Sequence, residues 1–551
     1  MNLPSRLSRD QRGFSMWLVM MALFACSLFV AAGFAAANDD LPLSGQTKDR
    51  KQAYAAAEAG LNFFLTHLNQ DSDYWTYCNN APPPTPGEQS PINQPWNGAG
   101  TDLRIWRNIQ GSSARYTLES LPAKGTVCNP ADQTSMIDMS TGMFRMRSTG
   151  QPYKNGTKRS IVAYFRRQGF LDFLYFTYYE DEDPMALAKA SDRSNAQNYC
   201  AGKFRSARDA APVSCPEIQF ITGDSVDGPL HTNDSLLICN KPSFGRTTNN
   251  RADRIEVVQT KPAALVAAGG CSQSATINGV LKNPASVLDP PASNAALKVV
   301  AQNGGNVFTG QTFIRLRGST MDVTTTNGGV RTFTSGMPLP ANGVIYVKND
   351  TTNSCPVQYP TQEDYTEGQY CGNVYVSGTY SQSLTIAAEN DVIVAPTDGK
   401  TLTWGNAANP FSLTGSNNSV LGLIANNFVR VGHPVKNRTF DSKGNITGCT
   451  NQTSAYDDGN VQIQAAILSI DHSFIVDNYN CGNELGTLSV TGAIAQRYRG
   501  PVGTSGGGGG TGFLKDYNYD DRLKYRSPPH FLNPVDSAWQ IVRENEQVPA
   551  R

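Results

Sequence analysis

The sequence predicts a mainly β protein built from an N-terminal transmembrane α-helix, a small α+β head and a right-handed parallel β-helix. Three observations support this fold class. An uncharged run covers 14–37, ten cysteines lie beyond it, and short β-branched runs recur after about residue 171. A chain of 551 residues is long enough for several cores. We expect the following parts: 1–13 basic leader, 14–37 transmembrane helix, 38–70 amphipathic stalk helix, 71–170 head, 171–540 β-solenoid with a C-terminal cap, and 541–551 tail.

The uncharged run follows a basic leader. Three arginines precede Gly13, and the 24 residues of 14–37 would extend about 36 Å as a helix, against a bilayer core of about 30 Å. Positive charge before the run predicts a cytoplasmic N-terminus and an extracytoplasmic body. Three interpretations remain open: a secretory signal cut near 35–37, a plain membrane anchor, and a leader cut after Gly13 that leaves the apolar helix attached.

Two motifs resemble those of one family. The chain begins with a basic leader, which is followed by Gly13-Phe14-Ser15 and then by the apolar run, and this order resembles that of type IV pilins and pseudopilins. The string after Arg50 resembles the N-terminal region of PilX-type minor pilins. The matching motif residues are Ala56, Glu58, Ala59 and Gly60. The resemblance implies cleavage after Gly13 by a prepilin peptidase, methylation of Phe14, a pilin-like head, and other pilins as partners.

One position departs from the pilin pattern. Main pilins carry a glutamate at the fifth mature position, where this chain has Leu18. The K-type pseudopilin of type II secretion also lacks this glutamate and occupies the filament tip. By analogy, we expect a tip or minor subunit rather than the repeating one.

The segment after the apolar run has helical periodicity. Residues 38–42, which end in a proline, predict a break between the membrane and the stalk. Apolar residues then recur at helical spacing over about 48–69. They are Ala53, Ala57, Leu61, Phe64, Leu65 and Leu68. The stripe could pack against the head or against a neighbouring subunit, and the sequence does not distinguish the two.

The cysteine pattern predicts disulfides. Cys26 lies in the apolar run, and the other ten cysteines lie on the predicted exported side, where thiols pair. Spacing suggests sequential pairs, although other connectivities remain open. The suggested pairs are Cys78 with Cys128, Cys200 with Cys215, Cys239 with Cys271, Cys355 with Cys371, and Cys449 with Cys481. No Cys-x-x-Cys occurs, so a zinc site is not indicated.

Short β-branched runs dominate after residue 171. Neighbouring runs are often about 8–10 residues apart and are separated by turn residues, which favours strands over helices. This pattern fits a parallel β-helix in which each coil stacks on the last, and a β-sandwich is the alternative. The stretches 222–234 and 486–539 also resemble an exported β-solenoid module found behind pilin-like N-termini. That resemblance implies architecture and no known chemistry.

Four polar residues form a weak metal candidate. Asp224, Asp227, His231 and Asp234 lie within one short stretch, but turn and strand-end chemistry explains them as well. Asp471-His472-Ser473 suggests a triad, yet neighbours on a strand point to opposite faces and no nucleophile elbow occurs.

Two C-terminal segments have structural interpretations. The glycines of 506–510 predict a flexible surface loop. The tyrosine-rich segment 517–522 predicts a flap over the last coil, and sugar or calcium binding is the alternative.

These features predict a non-enzymatic surface subunit of a type IV pilus or related filament, for priming, tip display or adhesion. We expect a single-pass protein of the cytoplasmic membrane with its N-terminus inside and its body outside the cytoplasm. We also expect that the protein can be incorporated into a surface pilus. No cofactor is expected. Zero net charge, from 46 basic and 46 acidic side chains, argues against a nucleic-acid partner. The expected partners are other pilins, the prepilin peptidase, the membrane and an external ligand. Two rivals remain: an exported β-helix carbohydrate-active enzyme and an envelope protein with a plain anchor.

Overall fold

A computed structural model shows two compact units. It describes residues 14–71, 74–83, 85–98, 100–125, 127–129, 135–138, 143–167, 169–248, 251–353, 355, 368–395, 412–416, 419–441, 446–451, 460–504, 510–524, 526–535 and 539–551. The first unit comprises 1–136, 144–164 and 543–551, and the second comprises 137–143 and 165–542. The helices are α1 (Phe14–Gln70), α2 (Ala190–Tyr199), α3 (Arg205–Arg208) and α4 (Ala295–Asn303).

Strands account for most of the regular structure. The first five are β1 (Ile92–Asn93), β2 (Arg107–Asn108), β3 (Arg115–Leu121), β4 (Phe144–Gln151) and β5 (Arg159–Arg167). Those of the second unit begin with β6 (Tyr175–Glu182), β7 (Ser225–Asp227), β8 (Leu230–Thr232), β9 (Leu236–Ile238), β10 (Ser243–Phe244), β11 (Thr247–Thr248), β12 (Arg251–Ala252), β13 (Arg254–Val257), β14 (Leu265–Ala267), β15 (Thr276–Ile277), β16 (Val280–Lys282), β17 (Val307–Thr309), β18 (Thr312–Gly318), β19 (Thr320–Asn327) and β20 (Val330–Pro338). They continue with β21 (Val344–Lys348), β22 (Val374–Tyr380), β23 (Leu384–Ala388), β24 (Val392–Val394), β25 (Ser412–Gly415), β26 (Leu421–Ala425), β27 (Val429–Val431), β28 (Val435–Phe440), β29 (Ile446–Asn451), β30 (Val461–Ser469), β31 (Phe474–Val476), β32 (Glu484–Arg499), β33 (Gly503–Thr504) and β34 (Thr511–Tyr519). The last strand is β35 (Trp539–Gln547).

The prediction of a transmembrane helix at 14–37 is wrong. Within the part of the chain that the structure describes, no helix is both long enough and apolar enough to cross a membrane.

The predicted helix break at 38–42 is also wrong, because α1 is continuous from Phe14 to Gln70. A proline inside a helix removes one backbone hydrogen bond and favours a break, but α1 continues as a helix on both sides of this one. The stalk is therefore the second half of α1 and not a separate helix.

The second half of α1 packs within the first unit. Its buried side chains are Ala53, Ala56, Ala57, Leu61, Phe64 and Leu68, while Leu65 is half-buried. Most contacts are to β4 and β3 of an antiparallel sheet. The sheet order is β1-β3-β4-β5-β35, with β2 beside β3. The apolar stripe thus packs against the head sheet. The segment 541–551, predicted as a tail, contains most of the last strand.

Glycine allows α1 to approach this sheet closely. A Cβ atom on Gly60 would lie 2.7 Å from Cδ2 of Tyr116 and also against the hydroxyl of Ser148. A Cβ atom on Gly150 of β4 would lie 2.5 Å from the backbone nitrogen of Ala57. Real Cβ atoms do not tolerate such contacts, so the small residues of the pilin-like motif permit this packing.

The second unit is built on a parallel ladder of strands, which excludes the β-sandwich. One row of buried side chains runs across neighbouring strands in register. The row is Ile345, Ile386, Leu423, Ile467, Ile494, Tyr175, Leu230 and Ile255. Stacking aliphatic side chains of successive coils gives each strand a buried face that it could not form alone. The mainly β prediction is confirmed, and the handedness of the coil stays a prediction.

The stacking order differs from the chain order. From β6 the chain builds β8, β13 and β16 in one direction. It then passes through α4 to β17 at the opposite end and returns through β21, β23, β26, β30 and β32. The returning arm ends against β6. The expectation that each coil stacks on the preceding one is therefore wrong at this junction, because strand spacing shows that coils exist but not their order.

The segment predicted as a C-terminal cap is an internal strand. β34 pairs with β32 on one side and with β7 on the other, so it does not cover an open end. Tyr519 is buried and donates a hydrogen bond to the carbonyl of Leu171 at 2.6 Å. Arg522 pairs with Asp520 at 2.7 Å. The prediction failed because an interior strand differs from an edge strand by backbone pairing on both sides, which the composition of one segment does not show.

The five disulfides link neighbouring cysteines in the chain. They join Cys78 to Cys128, Cys200 to Cys215, Cys239 to Cys271, Cys355 to Cys371, and Cys449 to Cys481. Their Cα atoms are 4.9–5.7 Å apart, within the usual range. Each closes a local loop and stabilises the fold by about 2–4 kcal/mol. Cys26 is a free thiol on the exposed part of α1.

Candidate functional site: a polar cleft at the strand junction and the apolar end of helix α1

A cleft of about 400 Å³ opens where the two arms of the β-helix meet. It is lined by Asp183, Pro184, Met185, Gln197, Ala201, Asp471, His472, Arg497 and Tyr498. Asp183 follows β6, His472 lies between β30 and β31, and Arg497 lies near the end of β32. Because β6 pairs with β32 in parallel, residues distant in the chain converge there. The junction therefore creates the cleft.

Asp183 holds His472 in one orientation. The carboxylate of Asp183 is fully buried and accepts from Nδ1 of His472 at 3.0 Å. It also accepts from the hydroxyl of Ser473 at 3.0 Å and from the backbone nitrogen of Met185 at 2.9 Å. The ring of His472 stacks on Phe428 with centroids 4.4 Å apart. Since Nδ1 is engaged, Nε2 is the ring nitrogen left for a ligand.

This arrangement is not a hydrolytic triad. In a triad the serine hydroxyl is hydrogen-bonded to the histidine, and the histidine is hydrogen-bonded to the acid. Here the hydroxyl of Ser473 donates to Asp183 and is buried, so nothing activates it as a nucleophile. The partner of His472 is Asp183, which lies 289 residues away in the chain, and not the adjacent Asp471.

A second acid–base pair lies at the same cleft. Arg497 approaches Asp471 at 3.5 Å and donates from Nε to the carbonyl of Ile470 at 2.9 Å. Burial raises the pKa of Asp471, and the positive charges of Arg497 and His472 oppose that shift. Tyr498 stacks on Tyr179 behind them, with ring centroids 5.3 Å apart. The cleft thus presents two neutralised pairs and an aromatic ring.

The pKa of His472 depends on Asp183. Burial lowers this pKa, but the attraction to Asp183 and the hydrogen bond outweigh burial, so the net shift is upward from 6.5. A pKa raised by folding contributes stability that is fully present below the unfolded pKa of about 6.5 and is lost as pH rises through the folded value. We expect Asp183→Asn to lower the His472 pKa and to weaken this pH dependence, as followed by NMR titration.

The exposed carboxylate Asp192 provides a matched control. Asp192→Asn is expected to leave the titration of His472 unchanged. A His472 pKa that stays constant in Asp183→Asn would contradict the pairing.

The weak metal candidates do not converge. In the described residues, no three His, Cys, Asp or Glu side chains lie close enough together to hold a metal ion. His231 contacts Glu256 and Asn233 through its two ring nitrogens, at 3.1 and 3.0 Å. Asp234 pairs with Arg208 at 2.6 Å. The other two candidates have separate partners: Asp224 faces Lys515 at 3.6 Å, and Asp227 accepts from Ser225 at 2.5 Å.

The pilin-type residues occupy one helix. Phe14 is the first residue of α1, and Gly13 lies outside the described residues, as do 505–509 of the glycine-rich loop. Ala56 and Gly60 are buried against the sheet, Ala59 is half-buried and Glu58 is exposed.

The first part of α1 exposes large apolar side chains. Exposure reaches 67% for Trp17 and Phe24 and 78% for Phe29. The others are Met16, Leu18, Val19, Met20, Met21, Leu23, Leu28 and Val30, each exposed by more than half. A continuous apolar surface of this kind marks an interaction site. The helix therefore has one half buried in the head and one half that lacks a covering element within this chain's described residues.

A solved structure that is similar to this chain is a pilin. No protein-family model matches the chain, and no curated protein is significantly similar. Among solved structures, the chain is similar to the competence-associated pilin ComZ from Thermus thermophilus, with 12% identity and a TM-score of 0.25. The match covers 91% of this chain and 98% of the pilin. A TM-score this low does not establish a common fold.

Proposed function

We propose that this protein is a minor or tip subunit of a type IV pilus or related filament, and that its β-helix is displayed outside the cytoplasm. The observation that supports this proposal is the exposed apolar half of α1, joined without a break to a half packed on the head sheet. Burying such a surface is favourable by about 25 cal/mol per Å², so the helix needs a partner. Apolar helices of other subunits provide a complementary one.

Several finer features accompany this proposal. Five disulfides favour an oxidising, extracytoplasmic location for the body. Leu18 in place of an acid suits a tip or minor position, and we propose that a prepilin peptidase cuts after Gly13. The polar cleft, in which both acids are already paired, favours binding over catalysis.

The exposed helix can be tested by charge substitution. We expect Phe24→Asp or Phe29→Asp to remove most of the protein from sheared filaments, because a charge at a buried helix contact is left unpaired. Immunodetection of filament and cell fractions measures this loss. Mass analysis of the filament fraction should show a chain that starts at methylated Phe14.

Val330→Asp serves as the control, since Val330 is 67% exposed in the second unit. Incorporation of this variant should equal the wild type. Normal incorporation of both phenylalanine variants would contradict the proposed packing.

A further inference from the structure

We propose that the cleft at the strand junction binds an uncharged, hydroxyl-rich ligand, most simply a neutral saccharide unit. The charge balance of its lining points to this class. Each carboxylate faces its own basic partner: Asp183 with His472 at 3.0 Å, and Asp471 with Arg497 at 3.5 Å. A charged ligand would have to displace an acidic or basic side chain from its existing pair. A neutral polar ligand can bind while both pairs stay intact.

The lining also matches hydroxyl groups, which donate and accept together. Arg497 donates and Asp471 accepts, while His472 and Gln197 also line the cleft, the amide nitrogen of Gln197 lying 3.1 Å from Sδ of Met185. Met185 and Tyr498 supply apolar surface to the same cleft. A cavity of about 400 Å³ with a few placed polar groups is of ordinary size for a small-ligand site.

The polar groups are held in place before any ligand enters. His472 is fixed by Asp183 and by its stacking on Phe428, and Arg497 is anchored to the carbonyl of Ile470. Fixed side chains lose little conformational entropy on binding, which favours affinity. This inference deepens the display role proposed above by assigning a ligand class to the displayed body.

Saturation-transfer NMR on the full-length protein in detergent tests the ligand class. The probes are methyl glycosides of glucose, galactose and N-acetylglucosamine, together with glucuronic acid and glucosamine, which differ from glucose in charge. We expect saturation of at least one neutral glycoside and weaker saturation of both charged sugars. Absence of any neutral binder, or a preference for a charged sugar, would overturn the proposal.

Two variants locate the binding. Asp471→Asn leaves Arg497 without its acid and should shift preference several-fold towards glucuronic acid. Arg497→Gln leaves Asp471 unpaired and should shift preference towards glucosamine. The exposed pair Lys189 and Asp192 offers the control, since Lys189→Gln and Asp192→Asn should leave selectivity unchanged.

Unchanged selectivity in both cleft variants would place the sugar elsewhere and overturn the assignment. Thermal unfolding of each variant verifies that it is folded. Filament incorporation of Asp471→Asn is measured in parallel. Failure of sugar binding with normal incorporation refutes the ligand class alone, while normal incorporation of the helix variants refutes the filament role alone.

Discussion

Replacement of Arg430 by methionine is expected to destabilise the β-helix by about 3–5 kcal/mol. Arg430 lies between two buried carboxylates, with Nη1 2.7 Å from Asp391 and Nε 2.8 Å from Asp477. All three residues are at most 2% exposed. Removing the guanidinium leaves two buried carboxylates close together with no cation between them. Native-state hydrogen exchange of the strand amides of Val429 and Val431 measures the loss.

The pH dependence of this variant follows from the same contacts. Burial raises the pKa of Asp391, and Arg430 opposes that shift. Without Arg430, protonation of a carboxylate is the remaining way to remove the buried charge. The loss of stability relative to the wild type should therefore shrink as pH falls. The control is Lys189→Met, which breaks an exposed pair worth about 0–1 kcal/mol. Equal effects of the two substitutions would show that the buried ion pair does not stabilise the fold.

Replacement of Gly150 by valine is expected to separate α1 from the head sheet. The added Cβ would lie 2.5 Å from the backbone nitrogen of Ala57 and would also meet the carbonyl of Ala53. Backbone atoms of a helix cannot move aside as a flexible side chain can. Overpacking costs about 1–3 kcal/mol, and more where the neighbours are rigid. Hydrogen exchange over 53–68 should accelerate.

Gly269 provides the comparison for this change, because no atom lies within 4 Å of the position that a Cβ would occupy there. Gly269→Val should leave the exchange of 53–68 unchanged. Protection of 53–68 at the wild-type level in Gly150→Val would show that the helix does not depend on this close approach.

The sequence reveals features that are local in the chain. Cysteines 15–50 residues apart pair as their spacing suggests, since short loops close easily. The apolar stripe from Ala53 to Leu68 is buried as its period predicts. The strands of the β-helix are likewise visible as β-branched runs, and their parallel stacking agrees with the predicted solenoid.

Features that depend on distant pairing are not visible in one sequence. Nothing in β6 or β32 marks them as neighbours, because the backbone groups that pair in a parallel ladder are the same in every strand. The cleft could not be predicted for the same reason, since Asp183 and His472 come into contact only when the returning arm pairs with β6. The acidic run that ends β6 was the available signal. Carboxylates that follow an aromatic run, without a basic residue close by in the sequence, could have drawn attention to Asp183.

The most direct test of the account is photo-cross-linking from Cys26, a free thiol on the exposed part of α1. Assembled filaments carrying a maleimide–diazirine probe at Cys26 are irradiated, and the linked peptides are identified by mass spectrometry. The account predicts links to the N-terminal apolar helix of another filament subunit. Links confined to this chain, or a labelled thiol that forms no protein link in assembled filaments, would contradict it.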